Sequence, residues 1–120
     1  MSERAKAESG PVVIDERMYS NVVAFKNVLD AAGEVVEINN ADQFHYHYFQ
    51  CNVTDAVVLR VEGTLDGDNW FNMDSDNTDT TIAAIGTYLI DTTRGIRPVK
   101  IRLKYVSGTG SVTPFYRGGN

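Results

Sequence analysis

The stretch Val99–Tyr105 constrains this chain more than any other. Val99, Ile101, Leu103 and Tyr105 alternate strictly with Lys100, Arg102 and Lys104. Successive side chains of a β-strand point to opposite faces, so the alternation describes a strand with one dry side and one wet, basic side. Val57, Leu59 and Val61 alternate in the same way with Val58, Arg60 and Glu62. Val57, Leu59, Val61, Val99, Ile101 and Leu103 are therefore expected to face a common core.

The rest of the chain reads in the same terms. Strands are expected over Val22–Leu29, Glu34–Ile38, Phe44–Cys51, Thr54–Leu65, Trp70–Met73, Thr80–Ala83, Thr87–Ile90, Val99–Val106 and Val112–Tyr116, separated by Gly, Asn and Asp turns. Met18–Leu29 is the one segment with some helical periodicity, and there the β-branched Val22, Val23 and Val28 favour a strand. Short strands at regular spacing point to an all-β fold, a single antiparallel β-sandwich or jelly-roll-like domain over residues 18–120. The 10 glycines suit the tight turns such a fold requires. Residues 1–17 read as a short flexible N-terminal arm: the first ten lack apolar periodicity, and Val12-Val13-Ile14 forms an extended patch able to dock it.

Composition narrows the function. With a formal net charge of -5, the chain lacks the basic footprint of a nucleic-acid binder. Its polar start, Met1-Ser2-Glu3-Arg4, is unlike a secretory signal, and apolar runs such as Ala56-Val57-Val58-Leu59 are too short to span a membrane. Cys51 is the only cysteine, so no intramolecular disulfide or multi-thiolate site can form, as suits a reducing cytosol. No Gly-x-Ser-x-Gly elbow, phosphate-cradling glycine loop or cysteine–histidine catalytic pairing occurs. The expectation is a non-enzymatic binding domain without a cofactor.

Three clusters merit weighing. His45 and His47 share a strand face with Cys51, which resembles the His-x-His strand of cupin metal sites. The glutamate and further histidine that would complete such a site are missing, so no tightly bound metal is expected. Phe44, Tyr46 and Tyr48 would take one face and the histidines the other, or an interface. Asp66, Asp68, Asp74, Asp76 and Asp79 lie together with Asn69, Asn72 and Asn77, and no Lys or Arg intervenes. Asp74-x-Asp76-x-x-Asp79 superficially looks like a calcium loop, but the sixth-position glycine and closing glutamate are absent, and turn-making by Asp and Asn is the favoured reading. Arg94, Arg97, Lys100, Arg102 and Lys104 fall in a stretch free of acidic residues. They form either a solvated strand face that discourages edge pairing or a surface complementary to acidic patches. The candidate protein contacts are Arg97, Lys100, Arg102 and Lys104, the acidic Asp66, Asp68, Asp74 and Asp76, and the patch Val12, Val13 and Ile14.

The segment Val61-Glu62-Gly63-Thr64-Leu65-Asp66-Gly67-Asp68-Asn69-Trp70-Phe71 is similar to one found in small proteins of tailed bacteriophages. Gly86-Thr87-Tyr88, the alternating strand from Arg97 to Leu103, and a closing Ser107-Gly108-Thr109-Gly110-Ser111-Val112-Thr113 hairpin follow in the same order. Over Val22–Gly118 the chain resembles capsid decoration, or cement, proteins and modules of phage fibres and tail appendages. The resemblance implies a β-sandwich that binds the major capsid protein on the virion surface after assembly in the host cytoplasm, often as a homotrimer at capsid symmetry axes. The alternative is a carbohydrate- or receptor-binding module with Trp70, Tyr88 or Tyr105 stacked on a sugar, which would present at least two exposed aromatics on one face. On the residues alone, Asp66-Gly67 supplies a tight turn and Trp70 a large ring to bury behind it.

Overall fold

The computed structural model describes residues 22–25 and 27–120. Its strands are β1 (Val23–Ala24), β2 (Val35–Asn39), β3 (Tyr46–Val53), β4 (Val57–Thr64), β5 (Phe71–Asn72), β6 (Thr80–Ile82), β7 (Gly86–Asp91), β8 (Lys100–Gly108) and β9 (Val112–Gly119). One 3-10 turn, Ala41–Gln43, precedes β3. The strands form two antiparallel sheets, one ordered β1-β9-β3-β7 and the other β2-β8-β4-β5, with β6 also paired to β4. The first four strands alternate between the sheets, the wrapping path of a jelly roll. The chain is thus an all-β sandwich, as its alternation requires.

The core lies where the alternation puts it. Leu59 pairs with Tyr105 and Val61 with Leu103 across β4 and β8, and all four side chains are buried. Opposite them sit Phe49, Cys51 and Val53 of β3 and Val112, Pro114 and Tyr116 of β9. Of the six expected core residues only Val99 is half-buried. It precedes β8 and serves through its backbone, donating to Thr64 O at 2.9 Å and accepting from Ala41 N at 3.1 Å.

Three local readings change. The strand expected over Val22–Leu29 contracts to Val23–Ala24 on β9 plus an isolated bridge between Leu29 and Val112. Leu29 is buried there, whereas Val22, Val23 and Val28 are exposed. Phe44–Cys51 shifts to Tyr46–Val53 because the 3-10 turn occupies the chain just before it. The stretch Ser107–Thr113 is not a hairpin, since β8 and β9 lie in different sheets. It is a corner that crosses the sandwich beside the β3–β4 corner. Ala56 O accepts the N–H groups of Thr109 and Gly110, Thr54 N donates to Ser111 O, and Tyr105 Oη donates to Gly110 O at 2.6 Å. Glycine is required at 110, where a Cβ would run into the Asp55 backbone, with its nitrogen only 2.6 Å away. The N-terminal arm, with Val12, Val13 and Ile14, lies outside the described residues.

Candidate binding faces

Each sheet turns one face to solvent, and the two outer faces differ in chemistry. On the β1-β9-β3-β7 sheet, the odd-numbered residues of β3 (His47, Phe49, Cys51, Val53) point inward. Tyr46, Tyr48, Gln50 and Asn52 therefore point out. Register sets their neighbours. Tyr48 lies between Arg117 of β9 and Asp91 of β7, Gln50 between Phe115 and Leu89, and Asn52 between Thr113 and Thr87. Leu89 is 65% exposed and Tyr46 49% exposed. Val22, Tyr48, Gln50, Leu89, Phe115 and Arg117 line a shallow groove of about 360 Å³. A mixed aromatic, apolar and polar sheet face of this kind is what a protein or ligand surface can cover.

The outer face of the other sheet is a charge ladder. Register sets Glu37, Arg102 and Glu62 in one row across β2, β8 and β4, and Lys104 beside Arg60 in the next. Arg102 Nε donates to Glu62 Oε1 at 2.7 Å, and its guanidinium stacks 3.9 Å from the centroid of the Trp70 ring. Arg60 grips Asp79 through Nε at 2.7 Å and Nη2 at 3.1 Å. Such forked, charge-assisted contacts fix geometry as well as supplying energy. Trp70 is accordingly half-buried under a cation, not enclosed behind its turn as expected.

The basic stretch therefore divides. Arg102 is engaged within its sheet. Arg94 donates to Asn72 O and Asn77 Oδ1, outside the strand face. Arg97, in the loop before β8, donates to Asp42 O, Gln43 O and His45 Nε2. Lys100 and Lys104 stand on the outer face on either side of Arg102 along β8, half-buried.

The acidic residues divide as well, into two turns flanking β5. Asp66 accepts from the backbone N–H groups of Asp68 and Asn69 and from the side chains of Asn69 and Thr64. These donors, led by the Asn69 backbone, hold its carboxyl well below the usual carboxylate range. Asp74 accepts from the Thr78 and Thr93 hydroxyls and from Asp76 N, and the Thr78 hydroxyl leads in lowering its pKa. Asp68 and Asp76 are exposed. Each carboxylate that closes a turn is turned toward its own loop, which is the turn-making role. Among the described residues, no three His, Cys, Asp or Glu side chains stand close enough to hold a metal ion.

The histidines part company. His45 lies ahead of β3 and meets Arg97. His47 is completely buried; its Nδ1 lies 2.7 Å from Tyr116 Oη, and its Nε2 has no partner. Burial pushes its pKa down to about 4, and pushes the enclosed Cys51 thiol up to about 12. Of the three aromatics named for sugar stacking, Tyr105 is a core residue, so it cannot stack on a ligand. Tyr88 is half-buried on the inward-facing parity of β7, with its hydroxyl bonded to Ala84 O. Among the described residues the exposed aromatic is Tyr46 of β3, with Tyr48 half-buried beside it.

No family model matches this chain, and no curated protein is significantly similar to it. Among solved structures, the SPBc2 prophage-derived protein YomS has a similar fold. The TM-score is 0.55, with 92% of this chain and 100% of that one covered at 15% identity. At that identity the likeness is one of fold.

Proposed function

We propose that this chain is a structural protein of a tailed-phage virion, a decoration or cement protein that binds the major capsid protein at the capsid surface after assembly in the host cytoplasm. The observation that carries the reading is the outer face built by Tyr46, Tyr48, Leu89 and Phe115, a grooved sheet surface that mixes aromatic, apolar and polar side chains as protein interfaces do. The fold similarity to a prophage-derived protein and the phage-like segments of the sequence support it. Lys100 and Lys104, with the exposed Asp68 and Asp76, are the charged contacts of this reading, since the Asp66 and Asp74 carboxylates are held in their own turns. The trimer implied by the resemblance was expected to pair basic residues with a neighbour's acidic turns. That argument is weaker with Arg94 and Arg102 engaged within the chain. The test is co-sedimentation of the purified protein with expanded capsids that lack it. Saturable binding is expected, and its absence refutes the reading.

The carbohydrate- or receptor-binding alternative keeps one specific support. Tyr46, exposed, and Tyr48, half-buried, lie two residues apart on one outer face, where a sugar ring could stack. Glycan binding by a preparation that ignores capsids, abolished by Tyr46→Ala, would favour it. Trp70 fluorescence will not report on that face, because Trp70 lies under Arg102 beside the other sheet.

A further inference from the structure

β7 is the last strand of the β1-β9-β3-β7 sheet, and among the described residues no strand pairs with its far side. Thr92 N donates to His47 O at 3.2 Å, so the even-numbered residues of β7 exchange backbone bonds with β3. The N–H and C=O groups of Thr87, Leu89 and Asp91 therefore point away from the sheet, along an edge of about 20 Å. An open edge invites pairing by another strand, and proteins blunt it with short strands, charges or proline. The outer strands of the second sheet follow that rule: β5 and β6 have two and three residues, and β2 carries Glu37 at its middle. β7 has six residues, and no charge or proline occurs from Thr80 to Ile90. Its edge also holds the two most exposed large apolar side chains among the described residues. Ile85, just ahead of the strand, is 72% exposed and Leu89 is 65% exposed.

We propose that β7 pairs antiparallel with β7 of a second copy, about a two-fold axis normal to the sheet beside Thr87, joining two four-stranded sheets into one of eight. At this register Thr87 exchanges backbone bonds with its counterpart, and each Leu89 lies beside Ile85 of the other copy. Both exposed apolar side chains are covered, and each contact is made twice, as an isologous interface demands. Asp91 falls opposite Ala83, so no like charges meet. Neighbouring registers do worse. An axis beside Tyr88 sets Ile85 against Asp91. One beside Leu89 sets Ile85 against Thr93, whose hydroxyl already accepts from Ser75 N at 2.8 Å in its own chain. The axis normal to the sheet also brings the two outer faces carrying Tyr46 side by side, on the same side of the joined sheet and open to a further partner.

One strand from each copy covers less than the roughly 1,000 Å² of a specific, stable interface. The dimer should therefore be weak and concentration-dependent.

Sedimentation velocity of the full chain from about 1 to 500 µM tests this, with a shift expected from the 13.3 kDa chain toward twice that mass. Leu89→Lys and Ile85→Lys should each weaken association about tenfold or more by placing a charge on the edge. The unfolding midpoint should not move, because both positions are exposed in the single chain. Thr87→Cys should cross-link two copies on oxidation, since residues facing each other in a bonded antiparallel pair have Cα atoms about 5.5 Å apart. Leu89→Cys should not, because its counterpart lies about 14 Å along the strands. The native Cys51 is buried and does not compete. Amide exchange at Thr87 and Leu89 should slow as concentration rises, whereas Tyr88 and Ile90, bonded to β3, stay protected throughout. A monomer across the range, a trimer, a dimer indifferent to both lysine changes, or cross-linking through Leu89→Cys in place of Thr87→Cys overturns the inference. Capsid sedimentation reads separately. A dimer that ignores capsids refutes the virion reading alone, and a capsid-binding monomer refutes this inference alone.

Discussion

Acidification should destabilise this protein through His47. The ring is fully enclosed between β3 and β9, Tyr116 Oη occupies its Nδ1 side at 2.7 Å, and Nε2 meets no partner. Protonation would bury a cation, and this loss of hydration, only partly offset by the Phe44 backbone, holds the folded state in the neutral form, so its pKa falls from 6.5 to about 4. The unfolded chain takes up its proton as the pH drops through about 6.5, while the folded chain does so only near 4. The contribution of neutral His47 is thus complete above pH 6.5 and is lost progressively between 6.5 and 4. At about 1.4 kcal/mol per pH unit, the loss is about 2 kcal/mol at pH 5 and about 3 kcal/mol at most. The carboxylates held low by hydrogen bonds, Glu34, Asp66 and Asp74, act in a different window. Their stabilisation is present above the ordinary carboxylate range and is lost only as the pH falls below it. Urea unfolding at pH 7.5, 6, 5 and 4.5 should be compared between the native protein and His47→Gln, which can still accept from Tyr116 but cannot titrate. The native protein should lose about 2 kcal/mol more than the variant between pH 7.5 and 5. Equal losses in the two would refute the reasoning.

Three further outcomes are expected. Leu103→Ala should cost about 2–5 kcal/mol, against less than about 0.5 kcal/mol for Lys104→Ala, since only the first removes a core contact; urea midpoints that move equally would reverse the face assignment. Gly110→Ala should destabilise by about 1–3 kcal/mol, because its Cβ meets the Asp55 backbone at the crossing of two corners, and calorimetry showing an unshifted transition would contradict this. Cys51, buried with its thiol pKa pushed up to about 12, should resist a disulfide reagent in the native state and react fully in urea.

Much of the fold is legible in the strands whose two faces differ. Along β8 and β4, charge and hydrocarbon alternate, so Ile101, Leu103, Leu59 and Val61 could be assigned inward without coordinates. The turn roles of Asp66 and Asp74 follow from residue type, because a short carboxylate reaches its own loop backbone more readily than anything else. The aromatic face was not legible. Both faces of β3 carry aromatics, with Tyr46 and Tyr48 on one side and His47 and Phe49 on the other. The flanking β7 and β9 likewise place Leu89 opposite Tyr88 and Ile90, and Phe115 opposite Tyr116. Where both parities are apolar, periodicity does not tell inside from outside.

The partners of the charged residues were equally beyond reach, because they depend on register between distant strands. Glu37, Glu62 and Arg102 come together from three strands, and Asp79 reaches Arg60 from beyond β5. Within a stretch that is uniformly basic in sequence, Arg102 comes to lie in space between Glu37 and Glu62, while Lys104 lies beside Arg60. The sequence by itself determined that this chain is an all-β sandwich and which sides of β4 and β8 are dry, because alternation is a local property and burial must follow it. Only the tertiary structure decided which outer face is aromatic, which charges are engaged and that Ser107–Thr113 is a corner. Those outcomes depend on which strands become neighbours, and that pairing is settled by the packing of the whole core.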